Sequence, residues 1–577
     1  MHLHNARILL DHALGKGEIY DAYYEPNLTL FPYWFSHVAL GLLLTLFSPN
    51  VAEKLFLGSY VVFMAMLLRR LARELRPDAS FLSFLALPLI CCQAFQMGFL
   101  AFCFSYVFVL LIVLLWIRHE TELTPLRLLL FAALFLLLYF SHPVSYVLGL
   151  VVVGSLIAAG RTALITRLSA LLLAALPSLV LFAWYVLRTP SYQRPPVVSY
   201  LTLVGNFARQ SNLVLLTGQE APFGIAVGAS FAVLASLALR IRMAESLVLE
   251  RSDGFLAAAA IGLTIHLYGA HNLVGFFERT QTFPLLMLIA WFSTRAYSNL
   301  EKFIVVAGSS AAVIGLVLVR WPIYSQTSEN IQEYLTVAPH IAPRSTVLPL
   351  NFAPYGVVGD GPISQCYPLL CHTPDYLGAE DKQLIMLDNI GGLYPMFPYL
   401  WRSERNPYQH IQKNDGMESV PPEVSFLTYY ERTGGTVDYV VTWGFDSAFE
   451  RMPAAGGIRK QLEQNYERVA SSPSGRAVVY HRRPAEHEFS VPVASVGELI
   501  DASLQLYRTH RYEEAILMAE GALRIDPRAD RAYNNICAAH NELGNWDQAI
   551  QACEAAIAIN PGNELAHSNL RWARLKR

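Results

Sequence analysis

Residues 98–117 read GFLAFCFSYVFVLLIVLLWI, without a single charge. A helix rises about 1.5 Å per residue, so about 20 such residues cover the roughly 30 Å of hydrocarbon in a bilayer. Apolar runs meeting or approaching that length also occupy 54–70, 80–93, 126–141, 144–160, 164–187, 222–240, 254–270, 279–297 and 302–320. Of the 577 residues, 54% are hydrophobic and only 15% charged, where a soluble protein carries about 25%. Mean hydropathy is +0.34. With 43 Lys+Arg against 45 Asp+Glu and a net charge of -2, no basic excess exists to neutralise nucleic-acid phosphates. So apolar a chain is not disordered, and 7 cysteines do not make a disulfide scaffold. The fold class expected is an α-helical polytopic membrane protein of about ten spans, then a small α/β soluble domain and an all-α repeat solenoid.

Arginine and lysine orient the spans. Arg69, Arg70, Arg73 and Arg76 follow the first firm run; Arg118 and Arg127, Arg161 and Arg167, Arg240, Arg242 and Arg251, and Arg295 and Lys302 lie in alternate connections. Cationic connections face the cytoplasm. The connections 49–53, 94–97, 141–143, 188–221 and 271–279 then face outward, as does the chain after Arg320. The run 31–48 either crosses or lies in the outer interface, which needs only one apolar face. In the second case residues 1–53 are an external loop with a juxtamembrane helix, and 54–321 the transmembrane domain. No cationic stretch leads from Met1 into an apolar core, so no signal peptide is read there.

Residues 322–488 read as the α/β domain. Ser328–Val337 and Ile458–Glu467 are expected helices, Ser345–Leu350, Val437–Trp443 and Arg476–His481 expected strands, and 352–435 long loops. Residues 489–577 repeat internally. Tyr512, Ala515, Ala522, Ile525 and Pro527 recur 34 residues later as Trp546, Ala549, Ala556, Ile559 and Pro561. That period, with small residues where paired helices approach, is the tetratricopeptide (TPR) signature. Repeats are expected at 496–529 and 530–563 with a basic capping helix after them, and with them a protein partner.

His2–Arg7 (HLHNAR), Gly15–Tyr24, Pro26-Asn27 and Pro32-Tyr33-Trp34 resemble the first external loop of GT-C-type membrane glycosyltransferases. The likeness to that family covers residues 1–320 as architecture. The domain order resembles the transmembrane and TPR O-mannosyltransferases. The resemblance implies a polyprenyl-phosphate-linked sugar as donor, an extracytoplasmic acceptor, membrane lipid as a partner, and a bacterial inner or plasma membrane. It also implies that Phe31–Ser48 is the juxtamembrane helix of the outer loop. Family members carry an essential acidic residue in a pattern like Asp-x-x-x-His-Leu. Here His2-Leu3 open the chain, so that Asp and its span would fall before Met1.

Sugar transfer from a lipid phosphate needs a base at the acceptor hydroxyl and cations at the departing phosphate. Asp11, Glu18 and Asp21 are the carboxylates of the external segment; their alternative is a solvated loop with helix caps. Arg279, in Gly269–Arg279 (GAHNLVGFFER), is the candidate for the phosphate, with His271 beside it and His142 in another outer connection. The alternatives are an Arg279–Glu278 contact, snorkelling, and a structural histidine. Arg188, Arg194 and Arg209 are further cations in the long outer loop. A divalent metal is compatible with this chemistry, yet no ligand spacing supports one beyond His2, His4 and His12. Cys366 and Cys371 are spaced for a disulfide. A non-catalytic membrane-anchored TPR scaffold is the second reading, and a transporter a weaker third, because the spans carry few charges.

Overall fold

Among the described residues seven helices are long and apolar enough to cross a membrane: Pro49–Leu75, Leu100–His119, Pro143–Gly160, Leu164–Arg188, Gly218–Glu245, Asp253–His271 and Asn299–His340. The computed structural model describes residues 1–160, 163–188, 198–245, 248–272, 277–359, 361–364, 366–412, 417, 422–445, 453–483 and 496–577. They fall into two compact units, Met1–Arg482 and Arg483–Arg577.

Three expected spans fall on shorter elements. The run 80–93 is a 3-10 helix, Pro77–Ala86, continued by Leu87–Ile90. The run 126–141 is the helix Pro125–Ser141, capped by Thr124 and stopped at His142, whose extended backbone is what the following Pro143 demands. The run 279–297 is the helix Thr282–Phe292. The run 31–48 holds only the eleven-residue helix Trp34–Leu44, about 17 Å long and too short to span.

Two of the short elements, Pro77–Ile90 and Pro125–Ser141, nonetheless run from one polar rim of the helical body to the other. At one rim Arg118 donates to Glu74, Lys302 and Arg76 flank Asp78 at 2.9 and 2.7 Å, and Arg251 and Arg167 meet Glu120 at 2.9 and 3.4 Å. Arg242 and Asp253 pair there at 2.7 Å, and Arg295 and Glu245 at 2.9 Å. At the other rim Arg320 is buried and bonded to Glu220 (2.6 Å), the Cys91 carbonyl (2.9 Å) and the Leu213 carbonyl (2.7 Å). Asp78 and Cys91 thus sit beside Lys302 and Arg320, which lie about 27 Å apart along their helix. Ten residues of 3-10 helix at about 2.0 Å plus four α-helical residues cover about 26 Å. The tighter helix makes up in rise what it lacks in residues. Pro125–Ser141 likewise runs from the Arg127–Glu122 pair to Tyr139, whose hydroxyl donates to the Leu30 carbonyl at 2.9 Å.

The amino-terminal arm and the α/β region form one body at the Arg320 rim. Strand β1 (Tyr24–Pro26) pairs antiparallel with β4 (Tyr399–Trp401). A five-stranded sheet has the order β3 (Ile385–Met386), β2 (Thr346–Asn351), β5 (Tyr439–Trp443), β7 (Ala477–Arg482), β6 (Tyr466–Ser471). Strands β2, β3 and β5 run parallel, and β7 opposes β5 and β6. Three strands match the sequence reading. β6 was not expected, and the helix before it, Pro453–Asn465, starts five residues before the reading and ends two residues short of it. Ser328–Val337 is not a separate helix either: Asn299–Leu335 runs unbroken through Pro322. At about 56 Å it is nearly twice a bilayer's hydrocarbon thickness, and its far end docks on the sheet, with Asn330 Nδ2 donating to the Val357 carbonyl (3.0 Å) and Ser472 Oγ to Glu333 (2.7 Å).

Among its described residues the second unit has five helices: Val496–Arg508, Tyr512–Ile525, Asp530–Glu542, Trp546–Ile559 and Glu564–Lys576. Their boundaries agree with the expected repeats. Ala515, Ala522, Ala549 and Ala556 are fully buried between the paired helices. Cys366 and Cys371 are free thiols, contrary to the pairing considered from their spacing; the disulfide joins Cys537 to Cys553 across the second repeat.

Glu220→Ala strands the Arg320 guanidinium in a buried site, and breaking such a pair costs about 3–5 kcal/mol. A detergent melting curve therefore shows a large loss of stability, most of which Glu220→Leu with Arg320→Met restores. Cys537→Ala opens a disulfide spanning 16 residues, worth about 3 kcal/mol. Limited proteolysis then cuts within residues 530–577 well before the rest of the chain.

Candidate functional site

A run of contacts links two of the expected residues. Arg279, in the short helix Phe277–Thr280, lies over the Phe99 ring with its guanidinium carbon 4.0 Å from the centroid. Its carbonyl accepts from the Tyr106 hydroxyl at 2.9 Å. Tyr106 meets Phe102 edge-on at 4.8 Å, Phe102 meets His142 at 4.7 Å, and His142 meets Tyr33 at 5.1 Å. The Tyr33 carbonyl faces His37 Nδ1 at 3.3 Å, and His37 Nε2 lies 3.2 Å from His2 Nδ1. The arm, its helix Trp34–Leu44, the long helix Leu100–His119, the junction at His142 and the short helix Phe277–Thr280 thus share one seam.

That seam is poor in charge. Among the described residues no carboxylate is within ion-pair distance of Arg279, and both Arg279 Nε and His142 Nε2 are buried without a hydrogen-bond partner. A cation at a membrane boundary is costly unless something anionic faces it. Burial holds the His37 imidazole down to about 4, with the Tyr33 carbonyl opposing. Burial and His37 together push His2 well down too. Both rings are therefore neutral at pH 7, so one N–H donates to the other ring's lone pair. Arg279 supplies the positive charge of the seam. Its planar fork suits a phosphate.

The arm carboxylates go elsewhere. Asp11 is not a solvated loop residue: it is buried in the helix His2–Ala13, 3.9 Å from Arg7, and accepts from the Tyr20 hydroxyl at 3.3 Å. Burial raises its carboxyl while Arg7 pulls it down. Asp21 is exposed and bonded to His12 Nε2 at 2.6 Å. Glu18, also exposed, lies 3.9 Å from Arg344 and lines an open pocket of about 430 Å³ with Lys16, Asp381, Lys382 and Gln383. His271 Nδ1 donates to the Val198 carbonyl (2.8 Å) and the ring stacks on Tyr200 at 4.5 Å, neither of which belongs to the seam. Arg188 covers Trp184 at 5.0 Å. Arg194 and the side chains of Asn272 and Glu278 lie outside the described residues. His2, His4 and His12 do not converge, and among the described residues no group of three or more His, Cys, Asp or Glu could hold a metal ion.

Sequence reasoning missed His37, Phe99 and Tyr106. The available signals were a lone histidine in the apolar arm helix and a Tyr-Trp pair after Pro32. Tyr33 has φ of 81°, a conformation that costs a non-glycine residue and recurs at functional sites.

Behind the seam the arm is clamped to the sheet region. Asn5 Nδ2 donates to Asn389 Oδ1 at 3.1 Å and Arg7 Nε to the Ala379 carbonyl at 3.0 Å. His4 is buried against Gly378, where a Cβ would lie 2.3 Å from the ring. Asp388 is half-buried beside Asp375, and desolvation, then that neighbouring charge, holds its carboxyl well above the usual range.

The tetratricopeptide repeat family profile matches residues 530–563. No curated protein matches the chain, and no solved structure matches it.

A carboxyl raised in the folded state contributes stability below its unfolded pKa of about 3.9 and loses it as pH climbs toward the folded value. Asp388→Asn removes that dependence. Melting temperatures of variant and native protein nearly coincide at pH 4 and diverge toward pH 8, with the variant higher; parallel curves would contradict this.

Proposed function

We propose that the chain is a ten-span membrane protein that binds a polyprenyl-phosphate-linked sugar at its extracytoplasmic rim for GT-C-type transfer, its TPR unit engaging a protein partner. The observation that carries the reading is Arg279, a cation set on Phe99 at the rim, without a carboxylate among the described residues.

Parity supports the topology. Arm and sheet share one body through β1 and β4, so the number of crossings between them is even. Seven long helices alone are odd in number. In this reading Pro77–Ile90, Pro125–Ser141 and the consecutive helices Phe277–Thr280 and Thr282–Phe292 count as three further links between the rims, which brings the total to ten. The rim with Arg76, Arg118, Arg167, Arg251 and Lys302 is then cytoplasmic. The sequence 484–495 (PAEHEFSVPVAS) has no apolar run, so the repeats follow the sheet to the outside. A disulfide at Cys537–Cys553 suits that oxidising side.

In this reading Arg279, with His142 beside it, holds the departing phosphate. The acceptor oxygen attacks the sugar's anomeric carbon as the bond to phosphate oxygen breaks, and the hydroxyl proton passes to a base. Asp21, oriented by His12, is the proposed base, because Asp11 is committed to Arg7 and Tyr20. The scaffold reading draws on one observation: none of the contacts described for the arm carboxylates reaches the His142–Arg279 seam.

Arg279→Ala lowers the affinity for a tritiated polyprenyl-phosphate sugar about 10- to 100-fold, the worth of a charge-assisted bond of about 1.5–3 kcal/mol. Equal binding by both proteins would remove the donor site. Turnover lost in Asp21→Ala with binding kept supports transfer. Binding without turnover in the native protein selects the scaffold. Cys366, an exposed thiol, should react with a membrane-impermeant maleimide added to intact cells; labelling only after lysis would invert the topology.

A further inference from the structure

The last helix, Glu564–Lys576, has two apolar stripes where a capping helix needs one. Ala566, Leu570 and Ala573 are buried against the repeats. Leu565, Trp572 and Leu575 point away from them and are 68%, 51% and 82% exposed. Residues 565 and 572 stand two turns apart in line, and 575 lies one turn further along the same face. A solvated cap carries polar residues there.

The charges frame this second stripe. Arg571 adjoins Leu575 across one turn, and Lys576 adjoins Trp572, its ammonium 5.1 Å from the indole. Arg574 is engaged by Glu554 at 2.7 Å and Arg577 by Asp547 at 2.9 Å, whereas among the described residues Arg571 and Lys576 have no carboxylate partner. Glu564, at the far end, is the only acid of the helix. An apolar stripe with an indole, edged by two unpaired cations, is the pattern of a helix lying in the plane of an anionic interface. A second copy of the chain would bring like charges together along both edges.

We propose that the helix Glu564–Lys576 docks through Leu565, Trp572 and Leu575 on an anionic lipid surface. The inference rests on membrane association of the chain and not on sugar transfer. Because the repeats are tethered to the membrane-embedded unit, one short helix suffices: its encounter with lipid is intramolecular in effect.

The test uses the full chain in nanodiscs. Fluorescence of the native protein minus that of Trp572→Phe isolates Trp572, one of 9 tryptophans. In discs of brominated phosphatidylglycerol this component is quenched about twofold or more, and the quenching falls away in brominated phosphatidylcholine and in Arg571→Glu/Lys576→Glu. Equal quenching in both lipids overturns the electrostatic part. Unquenched Trp572 in the anionic discs overturns docking altogether. Shielding of Trp572 from iodide that grows with protein concentration in detergent assigns the stripe to a second copy instead.

Discussion

Burial of Arg320 at the rim that carries the sheet is the constraint on which the rest of this molecule turns. Its guanidinium joins four stretches of chain: its own helix, the loop ending at Glu220, the Leu213 carbonyl, and the end of the 3-10 segment at Cys91. The remaining Glu220 oxygen accepts from the backbone of Leu215, Leu216 and Thr217 at 2.7, 2.8 and 3.2 Å. No oxygen of the pair is left bare, which is what makes a buried ion pair tolerable. The Leu216 carbonyl in turn faces Ser364 of the sheet region at 3.3 Å. The height of helix Asn299–Leu335 is therefore set against both the helical body and the sheet.

That same helix transmits the setting outward. Pro322 removes one backbone donor, and a proline inside a helix usually bends or ends it. Here both flanks are held, by Arg320 below and by Asn330 and Glu333 above, so the helix continues. The arm, pinned by β1–β4 and by the Asn5–Asn389 amides, then has one place to cross the rim. It brings Tyr33 onto His142, with His37 held behind it by the Tyr33 carbonyl and by His2.

Much of this was legible in the primary structure because the signals are local. Spans announce themselves by the absence of charge over a fixed length, and the TPR period by alanines at close helix approaches. Val437–Trp443 was readable as a strand from its β-branched and aromatic residues. Other features are set by partners distant in sequence. The run 80–93 has the hydropathy of a span, but nothing in it says 3-10 helix; Lys302 and Arg320 define the distance it must cover. Tyr466–Ser471 has no apolar alternation, since it is an edge strand exposed on most positions. Asp11 looks like any loop carboxylate until Arg7 and Tyr20 close over it. His37 acquires meaning only when His2, 35 residues earlier, arrives beside it.

The repeat unit poses the opposite problem. Its helices are legible one by one, yet two repeats fall short of the three usually needed for stability. The short array compensates by other means. The disulfide ties the two helices of the second repeat, and Asn535 Nδ2 donates to the Ile500 carbonyl (3.1 Å) across the repeat boundary. Asn569 Nδ2 donates to Asn534 Oδ1 (3.0 Å), and Asn541 Nδ2 donates to the Asn569 carbonyl (3.0 Å), which fixes the last helix. Hydrogen bonds from buried amides specify register more than they add net stability, because each is exchanged for water. The covalent tie supplies the stability and the amides the alignment. Neither purpose requires Leu565, Trp572 or Leu575, so the face they form is free to meet something outside the repeats.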